Sequence, residues 1–158
     1  MRRKDREITD INEIVGIIKK CGVCRLALFD EEYPYIVPLN FGLSVENERI
    51  CLYFHGASSG KKLDLIKKCG KASFEMDCGH NLRTGERACD YTMEYESVCG
   101  SGTVEILNDS EKTAALTFLM NQYDKKDSHE FDENEIKAVT VFKLNVENIT
   151  CKRLVYKK

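Results

Sequence analysis

The chain has 158 residues, 42% of them hydrophobic and 32% charged, which is enough for a single domain over residues 1–158 with its own core. Its 24 Lys and Arg against 26 Asp and Glu leave a net charge of -2 with both signs scattered, so nucleic acid is not expected as a partner; phosphate-backbone binding needs a concentrated basic surface. No run approaches the roughly 20 apolar residues of a bilayer span, and the opening MRRKDREITD lacks the apolar centre of a signal peptide, so a cytoplasmic chain with no membrane partner is expected.

The segment TDINEIVGIIKKCG sets Ile11, Ile14, Val15 and Ile18 at helical spacing behind a Thr9/Asp10 cap, with Gly22 after the last turn. Three β-rich runs follow, VCRLALF, YIVPLNFGLSV and RICLYFH, separated by the turn-like clusters DEEYP and ENE. They predict three antiparallel strands in a meander. KKLDLIKKCG predicts a short helix with Gly70 as its C-cap, and KASFEMDC a strand. The polar stretch from Gly79 to Asp90 predicts a loop. YESVCGSGTVEIL predicts a long strand whose Gly100 and Gly102 mark a bend or bulge.

Asp109 or Ser110 caps a helix carrying the stripe Ala115, Leu116, Leu119 and Met120. KKDSHEFDENE predicts an exposed connection, and KAVTVFKLNVENITCKRLVY a strand through Val139, Val141 and Leu144, with room for a second short one. About six strands and three helices with short connections favour a mainly β fold, a β-barrel with peripheral α-helices, over a parallel doubly wound sheet.

FHGASSGKK, residues 54–62, is the stretch that carries chemistry, because it leads straight into a helix. As a triphosphatase loop it fails twice: only three residues separate Gly56 from Gly60, and Lys62 stands where a magnesium-binding Ser or Thr belongs. No dinucleotide-binding G-x-G-x-x-G is present in a strand-helix-strand setting. Backbone N–H groups at a helix start, the Ser58 and Ser59 hydroxyls and the Lys61 and Lys62 ammonium groups can still neutralise a phosphate dianion. The same residues also describe a basic surface turn. His55 enters this loop from the preceding strand, beside Gly56, where a ligand can approach the backbone.

The eight cysteines (21, 24, 51, 69, 78, 89, 99 and 151) are spread over a chain large enough to need no disulfide staples, so reduced thiols are expected. CGVC at 21–24 could be a redox dithiol or half a zinc site, but it follows a helix and enters a strand, the reverse of a thioredoxin-like setting. Cys78 and His80 are the nearest further ligands, and no metal site is expected.

In order along the chain, YPYIVPLNFGL (33–43), LYFHGASSGKKLDLIKK (52–68), KASFEMD (71–77), YTMEYESVCGSGTVEIL (91–107) and KAVTVFKLNVENITCKR (137–153) resemble the nitroimidazole-resistance (Nim) type branch of the pyridoxamine 5′-phosphate oxidase-like flavoproteins. The resemblance spans nearly the whole chain. It implies an FMN-binding split β-barrel acting as a homodimer, with flavin sites at the subunit interface and a small-molecule substrate, a nitroaromatic in this branch. It also implies that Val37, Pro38, Leu39 and Asn40 lie along the flavin ring, with His55 and Gly56 beside it and Ser59, Lys61 and Lys62 on its phosphate. Ser97 matches a position that turns a polar side chain toward the cofactor. His55 is the candidate catalytic residue, a proton donor to the substrate reduced by the flavin. The chain has no Trp and ends in CKRLVYKK, unlike the oxidases proper, so pyridoxamine phosphate oxidation is not expected. The alternatives are a flavin-storage protein without turnover, and a split barrel that holds haem or a deazaflavin.

Overall fold

A computed structural model describes residues 3–124, 126 and 128–156. Eight strands and four α-helices occur among them. A 3-10 turn and a short strand, β1 (Glu7–Ile8), precede helix α1 (Ile11–Lys20). The Asp10 carboxylate caps α1 by accepting from the Glu13 N–H at 2.9 Å, and Ile14, Ile17 and Ile18 are buried.

Strands β2 (Cys24–Leu28), β3 (Tyr35–Leu39), β4 (Gly42–Glu46) and β5 (Arg49–Ala57) follow, then α2 (Lys61–Cys69). The expected meander is corrected here. YIVPLNFGLSV is two strands, broken at Asn40 and Phe41, and β3 pairs with β2 whereas β4 pairs with β5. With β6 (Lys71–Arg83), β7 (Thr92–Ile106) and β8 (Val139–Leu154), the sheet order is β3-β2-β6-β7-β8-β5-β4, every pairing antiparallel, with β1 on β8. The two ends of that path, β3 and β4, are joined by two residues, which span at most roughly 11 Å from Leu39 to Gly42. The sheet must therefore curl until its ends meet. The result is a β-barrel split between β3 and β4, with Phe41, Phe54, Phe142, Leu26, Met76 and Val98 filling its interior.

The loop expected over 79–90 is also shorter than the sequence suggested. Strand β6 continues to Arg83, Asn81, Leu82 and Arg83 pairing with Glu94, Met93 and Thr92 after an irregularity at Cys78. The predicted bulge appears as a register shift between Ser101 and Gly102. Asn108, rather than Asp109 or Ser110, caps helix α3 (Asp109–Tyr123), in a capping box with Glu111. The charged connection contains α4 (Glu133–Ala138), capped by Asp132.

Helix α3 covers the outer face of β4 and β5, with Phe118 stacked on Tyr53 at 5.0 Å. Helix α1 is tied to the barrel through a buried carboxylate. Glu96 takes Lys20 on one oxygen and Arg153 on the other, each at 2.6 Å, and Arg153 also reaches Glu13 at 2.7 Å. No helix among the described residues is long and apolar enough to cross a membrane.

Candidate functional site

The split collects the sequence-predicted residues of FHGASSGKK and of β3. In the β4–β5 ladder Gly42, the first residue of β4, lies opposite Tyr53, and His55 stands two residues further along β5. Val37 and Leu39 are half-buried against the core, while Pro38 and Asn40 face outward from what is an edge strand, where a missing N–H costs no ladder bond.

The loop from β5 to α2 turns on Gly60, whose φ of 132° is closed to other residues. Its carbonyl accepts from Leu63 and Asp64, so the amides of Lys61 and Lys62 start the helix without intrahelical partners. They point out of the N-terminus, with the positive end of the helix dipole behind them and the exposed Ser59 two residues before Lys61.

The two lysines differ. Lys61 is exposed and engaged: its Nζ lies 2.6 Å from Asp30 Oδ2 and 5.4 Å above the Tyr35 ring. Lys62 is half-buried, and among the described residues no carboxylate pairs with it. Its Nζ sits 5.7 Å from the Phe142 ring centre and so close to Gly56 that a Cβ there would stand 2.6 Å away. Burial lowers the Lys62 pKa from the usual lysine value. Of the two lysines, Lys61 is thus engaged by a carboxylate, and Lys62 sits against apolar surface with none paired to it among the described residues.

His55 lies on the outer face of β5, opposite Val141. The ring is exposed by area, yet the sheet and loop around it desolvate it enough to lower its pKa, with the Lys62 charge as a second cause. The neutral imidazole is therefore favoured at neutral pH.

Ser97 stands apart. It is half-buried on β7 between Asp77 of β6 and Lys152 of β8, so β2 and β6 separate it from β3. Three strand spacings, roughly 14 Å along the curled sheet, lie between it and β3.

Cys21 and Cys24 are both buried, and burial pushes both thiols far above the normal range, so neither is an active thiolate. His80 pairs with Asp77 at 2.8 Å, and no group of three His, Cys, Asp or Glu residues suited to a metal occurs among the described residues. Sequence reasoning missed Asp30 and Tyr35, both inside the turn cluster and run DEEYPY; only their position beneath Lys61 marks them.

A split antiparallel barrel with a glycine turn and two lysines at the start of α2 beside its seam defines the class to which known proteins can be compared. The sequence profile described as pyridoxamine 5′-phosphate oxidase matches residues 10–153, and the chain belongs to that family. Among solved structures it is similar to a candidate 5-nitroimidazole antibiotic resistance protein from Bacteroides thetaiotaomicron, 32% identical, with a TM-score of 0.78 over 92% of this chain and 85% of that one. The fold is shared with the flavocytochrome Anf3 of Azotobacter vinelandii, at 17% identity and a TM-score of 0.81 over 99% of this chain and 72% of that one. It is shared too with an FAD-binding protein of Mesorhizobium loti, at 20% identity and a TM-score of 0.66 over 95% and 98%. No curated protein sequence matches the chain.

Proposed function

We propose that the protein binds FMN at the barrel split and acts as a flavin-dependent oxidoreductase on a small oxidised substrate. The observation that carries this reading is the uncompensated, half-buried Lys62 ammonium against Gly56, at the start of α2 and beside the apolar edge strand β3. A phosphate monoester dianion is what such a cradle suits. Lys62, the Lys61 and Lys62 amides and the Ser59 hydroxyl hold the phosphate, and no magnesium is needed. Tyr35 to Asn40 lead away from the cradle along β3, so Val37, Pro38, Leu39 and Asn40 are assigned to the ring.

Bound FMN would supply the two-electron transfer. His55, on β5 just ahead of the Gly56 turn, is assigned to deliver a proton to the reduced substrate; an incoming phosphate dianion beside Lys62 favours its protonated form. A nitroaromatic substrate is supported by the similarity to the Bacteroides protein, whose description names 5-nitroimidazole resistance.

A homodimer completes the reading. Ser97, separated from β3 by β2 and β6, is assigned to the flavin of the second protomer. The outer face beside β3 also leaves Phe29 and Ile36 each 63% exposed, surface that a second copy would cover. The absorbance spectrum of the purified protein, followed by titration with FMN, tests the cofactor assignment. Flavin bands or saturable FMN binding are expected, and a colourless protein that also binds no added FMN overturns it.

A further inference from the structure

Helix α3 ends on two residues whose side chains bond backbone far from it in sequence. Gln122 Nε2 donates to the Cys21 carbonyl at 3.1 Å and to the Lys19 carbonyl at 3.3 Å, so it satisfies carbonyls at the end of α1. Tyr123, the last residue of α3, bonds twice. Its hydroxyl accepts from the Phe41 N–H at 3.0 Å and donates to the Gly22 carbonyl at 2.9 Å.

Those two partners flank the point where β3 leaves β2. The last pair of the β2–β3 ladder is Cys24 with Leu39; Gly22 stands two residues before the one and Phe41 two residues after the other. Past that pair the Tyr123 oxygen bridges the two backbones, which lets them part while the Phe41 N–H keeps a partner. Phe41 itself is fully buried, its ring edge-on to that of Tyr123 with centres 6.4 Å apart. Gly42 is pressed against α3 so closely that the backbone of Phe118 and Leu119 fills the place a Cβ would take. The connector from β3 to β4 is therefore held by α3 at two successive residues. Because a peptide unit is planar, holding the Phe41 N–H also orients the Asn40 carbonyl.

We propose that Tyr123 is a positioning residue of the flavin site: its hydroxyl sets the path of Leu39 and Asn40 as they leave β2, and so the surface on which the ring lies. The proposal rests on the flavin reading above, which assigns Leu39 and Asn40 to the ring. Tyr123 acts through the Asn40–Phe41 peptide rather than on the flavin itself. Gln122 supplies the contrast, since its bonds go to α1 and the residue after it and leave β3 and the connector alone.

The test titrates wild type, Tyr123→Phe and Gln122→Met with FMN by flavin fluorescence, and records circular dichroism in the visible flavin bands at saturation. Those bands arise from the ring and report its surroundings. Tyr123→Phe keeps the aromatic ring against Phe41 and removes one oxygen. It is expected to weaken FMN binding about threefold to tenfold, the loss of one hydrogen bond that orders the site, and to change the visible bands of the flavin that binds. Gln122→Met is expected to lower the urea midpoint of the flavin-free protein while FMN affinity and the bands stay as in wild type. A Tyr123→Phe protein whose bound flavin shows wild-type bands overturns the positioning role, whatever its affinity, and leaves FMN binding intact. A Gln122→Met protein that changes affinity and bands to the same extent also overturns it, because the effect is then one of stability alone. A wild type that binds no FMN overturns the flavin reading, and the positioning role with it.

Discussion

Lys62 and Gly56 are mutually dependent: the ammonium occupies the space a side chain at 56 would need, its Nζ 2.6 Å from a Cβ built there. Gly56→Ala must therefore push Lys62 out of its seat against Phe142. FMN affinity is expected to fall about tenfold, one misdirected charge-assisted contact, with little loss of thermal stability because the flexible lysine end gives way. Isothermal titration with FMN and a melting curve on the same sample check both halves.

The inequality of the two lysines gives a second expectation. Lys62→Met should weaken FMN binding by about tenfold to a hundredfold, the loss of one charged hydrogen bond to phosphate. Lys61→Met should cost less, and Asp30→Asn introduced with it should recover part of the loss, because Asp30 then no longer faces the phosphate uncompensated. Equal losses for the two lysines would mean that the cradle does not distinguish them.

His55 has its pKa lowered by partial desolvation and by Lys62, so its charged form is less favourable folded than unfolded. The unfolded chain binds the extra proton first as pH falls through about 6.5, the ordinary histidine value, and stability is lost there. Replacing it with Gln removes that loss. Melting temperatures measured without flavin from pH 7.5 to pH 5 should show the His55→Gln protein gaining on wild type as pH falls; parallel curves would contradict this.

Glu96 carries the opposite sign. Burial alone would raise its pKa, but hydrogen bonds from Lys20 and Arg153 outweigh this and hold it low. Its contribution is present above the ordinary carboxylate range and is lost as pH falls through the lowered folded value. Glu96→Gln should destabilise the protein by about 1–3 kcal/mol in urea unfolding at pH 7, since Lys20 and Arg153 both retain access to water. The difference from wild type should shrink in acid.

The proposed dimer makes Ile36 and Phe29 interface residues. Ile36→Asp should shift the species seen by light scattering toward the monomer and weaken FMN binding with it. A wild type that is monomeric with full flavin occupancy would contradict the dimer while leaving the cradle untouched.

Much of this architecture is legible in the residues. Periodicity marks α1, α2 and most strands, and GSG at 100–102 marks a real register shift. The break inside YIVPLNFGLSV is not legible, because hydrophobic alternation reports which face a residue takes and says nothing of which strand lies beside it. Strand β6 beyond Cys78 reads as loop because both faces of GHNLR are largely exposed, leaving no alternation to see. At the site, the composition of the loop points to an anion, but two adjacent lysines look alike in sequence. What separates them is Asp30, 31 positions away and brought to Lys61 only by the curl of the barrel.

The central claim is that Lys62 and the start of α2 hold the phosphate of FMN. Titrating wild type and Lys62→Met with FMN and riboflavin, which share the ring and differ in the phosphate, tests it most directly. The account predicts that wild type binds FMN much more tightly than riboflavin and that Lys62→Met removes most of that difference. A wild type that binds both equally, or a Lys62→Met protein that keeps the full preference for FMN, would contradict it.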